Sequence, residues 1–448
     1  MKDLTIAEQL GVYAASISLN ALPPPVLRRI KICMADAIEC CFSSSTDIRK
    51  QGAYTSIDKV SHETGCTLWN TGSYASLGDA AFYNGVTGAI SSRNDISRIA
   101  KSHPGSVIIP SVLAAAEMFH LSGTQVLKGI LAGYEIMIRY GNTLRLATLP
   151  NSFRGTAFIG PMGAAAATAT ALGLSSQQIT SAISFAIHNG FGLNEWAWAG
   201  TGEDVLQNGW ACRNGIQAVM LAKAGIPGAK TIFEGPCGLL PSFHAMDKAE
   251  YLTEHLGKTF HIMDVRFKEI SACMNVQTAG QAAQTLACQH NINAADIGHI
   301  EIQVAGQSKN WPGCDNIVVT NLVQAIMSIQ FTVAQAIVHK NCSSIKWEPP
   351  YEPSVTELMK RCNITENSGY SDHHYERQSA SIIIHMKDST TYRYHQPDVQ
   401  TLDESQVLER FRRTMTACYN AGKAGQLVQT ILNLDQETDV CPFVRQLI

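Results

Sequence analysis

Residues 155–194 contain no Asp, Glu, Lys or Arg. A stretch of that length without charge has two destinations, a bilayer or the inside of a protein. A spanning helix needs about 20 predominantly apolar residues. The apolar part here, 163–174, is shorter and is built mainly of Ala and Thr. It stops at Gly173-Leu174, and Ser175-Ser176-Gln177-Gln178 reads as the start of a new helix. The pattern predicts two buried helices at the centre of a helical domain, with Ala and Gly faces that let backbones approach closely, and no membrane span.

Such a stretch requires a large core around it. A chain of 448 residues is long enough for two or three domains at roughly 150 residues each. From 1 to 258, apolar residues recur at i, i+3 and i+4, and helices are predicted over 26–38, 112–119, 125–138, 162–172, 179–187 and 210–224. From 259 to 398 the period changes. Residues 297–304 alternate as a half-buried strand, and 381–386 and 390–394 flank Lys387-Asp388-Ser389 as a hairpin. Helices are expected between them, over 276–288 and 322–338, and again after Pro397, over 403–417. The expected fold is mostly α with a second α+β domain. A large all-helical domain, 1–258 completed by 399–448, carries a smaller α+β domain, 259–398, inserted before the C-terminal helices.

Charge narrows the partners. Lys and Arg number 34 against 37 Asp and Glu, a net charge of −3, so no basic field exists to hold nucleic acid. Charged residues make up 16%, against about 25% in ordinary soluble domains. Such a chain has little surface per residue or hides surface in an oligomer. The 13 cysteines include no CxxC pair, so neither zinc nor redox spacing is present, and most read as small buried hydrophobes in a reducing compartment. The first residues, with Asp3 and Glu8, lack the clean apolar core of a signal peptide. A cytoplasmic protein is expected.

Two places carry candidate chemistry. The polar run Ser91-Ser92-Arg93-Asn94-Asp95-Ile96-Ser97-Arg98 leads to His103-Pro104-Gly105. A histidine on a loop propped between rigid helices suits acid or base work near neutral pH; the competing reading is a histidine that only caps the next helix. The second place is Phe267-Lys268, where a lysine facing a pocket would pair with carboxylates and a surface lysine would not. His373-His374 has no third ligand at a recognisable spacing, so no metal is expected. Trp196 and Trp198 suit core or interface positions better than a ligand cage.

A set of segments, weak singly, is specific in order. They are Asp79-Ala80-Ala81-Phe82-Tyr83-Asn84-Gly85, His103-Pro104-Gly105-Ser106-Val107-Ile108-Ile109-Pro110, Gly163-Ala164-Ala165-Ala166-Ala167 with Leu172-Gly173-Leu174, Gly209-Trp210-Ala211-Cys212-Arg213-Asn214-Gly215, Ala222-Lys223-Ala224-Gly225 and Phe267-Lys268. In these the chain resembles the MmgE/PrpD family of 2-methylcitrate dehydratase, cis-aconitate decarboxylase and iminodisuccinate epimerase, over about residues 5–420. The resemblance implies a helical domain plus a smaller α+β domain, a homodimer, an active site in the cleft between the domains, and no metal or organic cofactor.

The departures from the family pattern fall where its chemistry sits. Its usual Asp-Phe-Asp/Asn-Asp-Thr run reads Ser92-Arg93-Asn94-Asp95-Ile96 here. Its Gly-Phe-His reads Ser152-Phe153-Arg154, and its Lys-x-Leu-His reads Asp204-Val205-Leu206-Gln207. Its histidine after the lysine segment corresponds to Gln277, whereas His103 and Lys268 are kept. By resemblance, His103 is the acid or base, Lys268 stabilises developing negative charge, and Asp95 orients His103 or serves as a second base. Arg93 and Arg154 orient the substrate, with Asp204, Gln207 and Gln277 at substituted pocket positions. Asp204 would repel an anion where the family attracts one, so the substrate, a small carboxylate-bearing molecule, is expected to differ from citrate-like acids or to bind in another orientation. The expected activity is a cofactor-free lyase of the dehydratase or decarboxylase type. An isomerase, epimerase or cyclase, and a catalytically silent relative, are the alternatives.

Overall fold

The computed structural model describes residues 4–43, 47–147 and 149–448. The chain forms two compact units, one made of Met1–Gly192, Glu203–Phe267 and Asp403–Ile448, the other of Leu193–Gly202 and Lys268–Leu402.

The first unit is helical and is built around the charge-free stretch. Every residue of the helix Gly155–Ala171 is buried, and it packs against Gly105–Phe119, Gly123–Leu146, Ser176–Ile187 and Glu203–Lys223. Small residues make that arrangement possible. A Cβ at Gly129 would lie 2.6 Å from the Ala167 carbonyl oxygen and 2.7 Å from the Ala171 Cβ, and one at Gly215 would lie 2.4 Å from the Ala164 Cβ. The next helix starts where its cap predicts: the Ser175 hydroxyl accepts from the Gln178 amide at 3.3 Å, and the Gln178 side chain accepts from the Ser175 amide at 3.1 Å. Among the described residues no helix is long and apolar enough to cross a membrane.

The remaining helices mostly extend beyond their apolar stripes. Pro24–Phe42 begins at the proline run as expected. Gly105–Phe119 starts directly behind His103-Pro104 rather than at 112, and Glu203–Lys223 starts at 203 rather than 210, where Glu203, Asp204, Gln207 and Asn208 hide the apolar period. Leu77–Ile90, which periodicity does not mark, is buried at every position from Ala80 to Ile90 and so has no polar face to reveal it.

The chain leaves the helical unit at Phe267, later than the expected change of regime after 258. Buried polar residues on Gly123–Leu146 hold it there. The Ile262 amide donates to the Glu135 carboxylate at 3.0 Å, and the Arg139 guanidinium donates to the carbonyls of Glu254 at 2.6 Å and Thr259 at 3.3 Å. In the other direction, Leu193–Gly202 joins the second unit because Trp196 and Ala197 enter that unit's apolar core.

The second unit is α+β. Its four-stranded sheet has the order Cys362–Glu366, Ile297–Val304, Ala380–Met386, Thr391–Gln396, with the first pair parallel and the others antiparallel. Ile300, Ile302, Ile382 and Ile384 point inward, and Met274–Gln289 packs on the strands of the hairpin. His299, Glu301 and His385 stand on the opposite face. The helix expected over 322–338 is two, Leu322–Met327 and Ile329–His339. Ser328 ends the first and caps the second, its hydroxyl accepting from the Phe331 amide at 3.1 Å.

Replacing Gly129 with Val should lower stability by about 1–3 kcal/mol, because part of the clash is with backbone that cannot move aside. Urea unfolding measures this; an unchanged midpoint would show slack between the two helices.

Candidate functional site

His103 sits on a loop pinned at several points. The helix Leu77–Ile90 closes at Ser91, and Ser92 turns the chain at φ 55°. Ile96 and Arg266 exchange backbone hydrogen bonds, each 2.9 Å, and Ser97 and Ser102 exchange bonds of 2.9 and 3.2 Å. The His103 amide donates to the Thr156 hydroxyl at 2.9 Å, and its ring Nδ1 lies 2.7 Å from the Asp95 carbonyl oxygen. A carbonyl can only accept, so Nδ1 carries the proton of that bond. Nε2 is then the nitrogen whose protonation can change while the ring stays in place.

Asp95 therefore orients His103, but through its backbone. Its carboxylate is fully buried and works elsewhere: one oxygen accepts from the Gly105 amide at 2.9 Å and the other from the Tyr134 hydroxyl at 2.6 Å. A carboxylate at the first residue of Gly105–Phe119 complements that helix end. Glycine is needed there, since a Cβ on Gly105 would lie 2.9 Å from both the Asp95 oxygen and the Tyr134 oxygen.

A second chain of contacts reaches the same segment from Arg154. This residue precedes Gly155–Ala171, and its guanidinium donates to the Asn208 side-chain oxygen. The Asn208 amide donates to the Ser106 hydroxyl at 2.6 Å, and that hydroxyl donates to the His103 carbonyl at 2.9 Å. Asn208 did not stand out in the sequence, and Ser106 did so only as part of the segment that begins at His103. The available signal was a polar side chain on a helix face otherwise occupied by buried Val205, Ala211 and Cys212. Desolvation pulls the Arg154 guanidinium down to about 10, with Asp204 opposing the shift, so it stays cationic at neutral pH.

Asp204 is buried and is answered by cations. Arg49 approaches it at 3.3 Å, while the same guanidinium holds Asp47 at 2.6 Å. Burial raises the Asp204 carboxyl; Arg49 and then Arg154 oppose this without overcoming it. We attribute that balance to Arg49 being committed chiefly to Asp47. Gln207 is buried against the backbone of Gly192, where a Cβ would lie 2.9 Å from its side-chain oxygen.

Arg93 does a different job from the one expected. Its guanidinium pairs with Glu39, a fully buried acid of Pro24–Phe42. Glu39 also accepts from the Thr414 hydroxyl at 2.7 Å and pairs with Arg410 at 3.1 Å. Arg410 pairs in addition with buried Asp36, and the second oxygen of Asp36 accepts from the Asp95 amide at 3.0 Å. Burial disfavours the charge on Arg410, but Asp36 and Glu39 more than offset it and its pKa is raised. The candidate loop is thus tied to a buried ionic network between Pro24–Phe42 and Glu404–Cys418.

In the second unit Lys268 is buried and its ammonium donates to the Ala272 carbonyl at 3.2 Å. Gln277, expected to line a pocket, is fully buried, and its amide clasps Ile270: it accepts from that residue's amide at 3.1 Å and donates to its carbonyl at 2.8 Å. Its work is to fix the turn after Lys268. Sequence reasoning passed over Cys273, which precedes Met274–Gln289. Its thiol is pulled down by a hydrogen bond from Cys314 and, to a smaller extent, by the charge of Lys268. Three-ligand clusters of His, Cys or carboxylate among the described residues are His120–Asp439–Cys441 and His299–Glu301–His385, and neither contains His373 or His374.

A helical unit with a pinned loop histidine, followed by a smaller α+β unit beginning at a lysine, defines a two-unit protein of mostly helical class. Models of the MmgE/PrpD N-terminal and C-terminal domains match residues 8–252 and 271–436. The chain belongs to the MmgE/PrpD family. It is 22% identical to a cis-aconitate decarboxylase of Aspergillus terreus over 99% of this chain and 96% of that protein. A cis-aconitate decarboxylase of Mus musculus is 25% identical over 87% and 81%, and one of Homo sapiens 30% identical over 46% and 44%.

Two measurements probe this geometry. Arg410→Met leaves Asp36 and Glu39 buried without their shared cation and should cost about 3–5 kcal/mol in urea unfolding; a loss within error of zero would mean the acids find other partners. Asp204 has a raised folded-state pKa, so the stability it contributes below its unfolded value is lost as pH rises through the folded value. Asp204→Asn removes that loss. The stability of the variant relative to the parent should therefore rise as pH increases from about 4, the ordinary aspartate value, and a flat difference would contradict the raised pKa.

Proposed function

We propose that this protein is a lyase of the dehydratase or decarboxylase type, acting without a cofactor on a small carboxylate-bearing metabolite, with His103 as the group that moves the proton. The observation that carries the reading is the 2.7 Å bond from the His103 ring to the Asp95 carbonyl, which holds the imidazole in one orientation with Nε2 as its titrating atom. In a decarboxylation the carbon–carbon bond to the leaving carboxylate breaks, CO2 departs, and the electron pair left on carbon takes a proton from the imidazolium. In a dehydration the imidazole removes the proton beside the carboxylate, the electron pair left on carbon forms the double bond as the carbon–oxygen bond breaks, and the imidazolium returns its proton to the departing hydroxyl, which leaves as water. Both steps build negative charge next to a carboxylate, which favours nearby cations. Arg154, cationic at neutral pH, is the group we assign to it, to hold the substrate.

The pocket is altered relative to the family pattern, and the altered positions set the choice of substrate. Asp204 lies beside Arg49, and burial biases its carboxyl toward the neutral form, so it repels an anion less than an exposed aspartate would. Arg93, turned to Glu39, drops out of the binding set. An isomerase or epimerase would use the same histidine, and the replacement of other acid–base groups by Arg154 and Gln207 favours simple proton relocation in that case. We also carry the homodimer as part of this reading. Trp210 and Leu221, both substantially exposed on one face of Glu203–Lys223, suit self-association.

Proton NMR in D2O with cis-aconitate, citrate, 2-methylcitrate, iminodisuccinate and simple hydroxy-diacids separates these outcomes. A lyase gives new olefinic or methylene signals, and His103→Ala should slow their appearance by roughly 10²- to 10⁴-fold with an unchanged circular dichroism spectrum. Deuterium exchange without a new product identifies an isomerase. Turnover unaffected by His103→Ala removes the histidine from the chemistry.

A further inference from the structure

We propose that the outer face of the four-stranded sheet carries a divalent transition-metal site, of the zinc class, formed by His299, Glu301 and His385. It is independent of the proposed lyase activity and shares no residue with it. Strand geometry brings the three together. His299 and Glu301 are two apart on Ile297–Val304 and so share a face. His385, on the neighbouring strand, is the direct cross-strand partner of His299. The register shifts between Ile297 and His299, and such bulges re-aim side chains. Here both Ile297 and Ile300 remain buried while His299 stands outside.

The three ligand atoms are close enough to be drawn onto one ion, although His385 and Glu301 are hydrogen-bonded to each other as they stand. His385 Nε2 lies 3.0 Å and His299 Nε2 3.8 Å from the same Glu301 oxygen. The two imidazoles stack with centroids 4.1 Å apart and planes 8° from parallel, and one ligand atom from each of the three residues lies within 4.8 Å of the others. Zinc bonds of about 2.0–2.1 Å to nitrogen and oxygen place the ligand atoms of a tetrahedral site roughly 3.4 Å apart, a value the two observed separations bracket. Two imidazoles and one carboxylate are the donors that zinc, nickel and copper prefer, whereas magnesium and calcium take oxygen alone.

The surrounding polar groups fit as well. The Thr391 hydroxyl lies 3.3 Å from His385 Nδ1, in position to accept its proton and leave Nε2 as the metal-binding nitrogen. The His299 side chain is 56% exposed and that of Glu301 37%, so a metal there keeps coordination positions open to water or to an added ligand.

The test uses the full-length protein after chelator treatment. Titration with Zn2+ by calorimetry should show a single equivalent, and Co2+ should give the visible absorption of a tetrahedral site. His385→Ala and Glu301→Gln, both near the surface of the sheet, should each weaken binding by at least about tenfold. His120→Ala, which removes a ligand from the other three-residue cluster, should leave it unchanged. Absence of Zn2+ heat and of the Co2+ band would overturn the proposal. So would an equivalent that survives His385→Ala and Glu301→Gln, or one lost on His120→Ala.

Discussion

Two carboxylates on one buried helix, Asp36 and Glu39, set the terms for the helical unit. Both are fully buried, and burying an unpaired carboxylate is too costly for a folded state to tolerate. Arg410 comes from a helix far along the chain to pair with both, and Arg93 takes the remaining charge of Glu39. The network does more than neutralise charge. Through the Asp95 amide on Asp36 it fixes the backbone whose next oxygen holds the His103 ring. An electrostatic requirement of the core thus becomes positional accuracy at the candidate site, where a shift of an ångström is expensive for catalysis.

The same economy governs packing. A charge-free helix of small residues can be surrounded by four others only if Cβ atoms are missing where backbones meet, as at Gly129 and Gly215. That scaffold is rigid because small side chains leave few alternative packings. Arg154 stands at the start of this central helix and His103 at the end of its pinned loop, just before another helix that packs on it, so both candidate groups sit beside fixed helix termini.

Patterns of local origin were readable in the sequence. The strand Ile297–Val304 and the hairpin after it follow from alternation and a turn, and the Ser175 cap from its own three-residue spacing. What escaped reading is non-local or lacks contrast. Asp36 and Arg410 are 374 positions apart, and no spacing rule links them. Leu77–Ile90 has no polar face, so no period shows. Arg93 and Gln277 were legible as polar groups at unusual positions, but whether such a group faces substrate or its own backbone depends on partners such as Glu39 and Ile270 that only folding supplies.

The departures from the family pattern look different once those partners are known. Read one residue at a time, a lost histidine, a gained arginine and a lysine turned to aspartate suggest a pocket with its polarity inverted. In the fold the gained acid faces Arg49 and Arg154, and the gained arginine is hydrogen-bonded through Asn208 and Ser106 toward the backbone of His103. The substitutions therefore act as a set. Asp204 supports the charge of Arg154 and Arg154 that of Asp204, beside their nearer partners Asn208 and Arg49. The network thus links the oriented imidazole of His103 to the cation of Arg154 at a position where the family pattern has a second histidine.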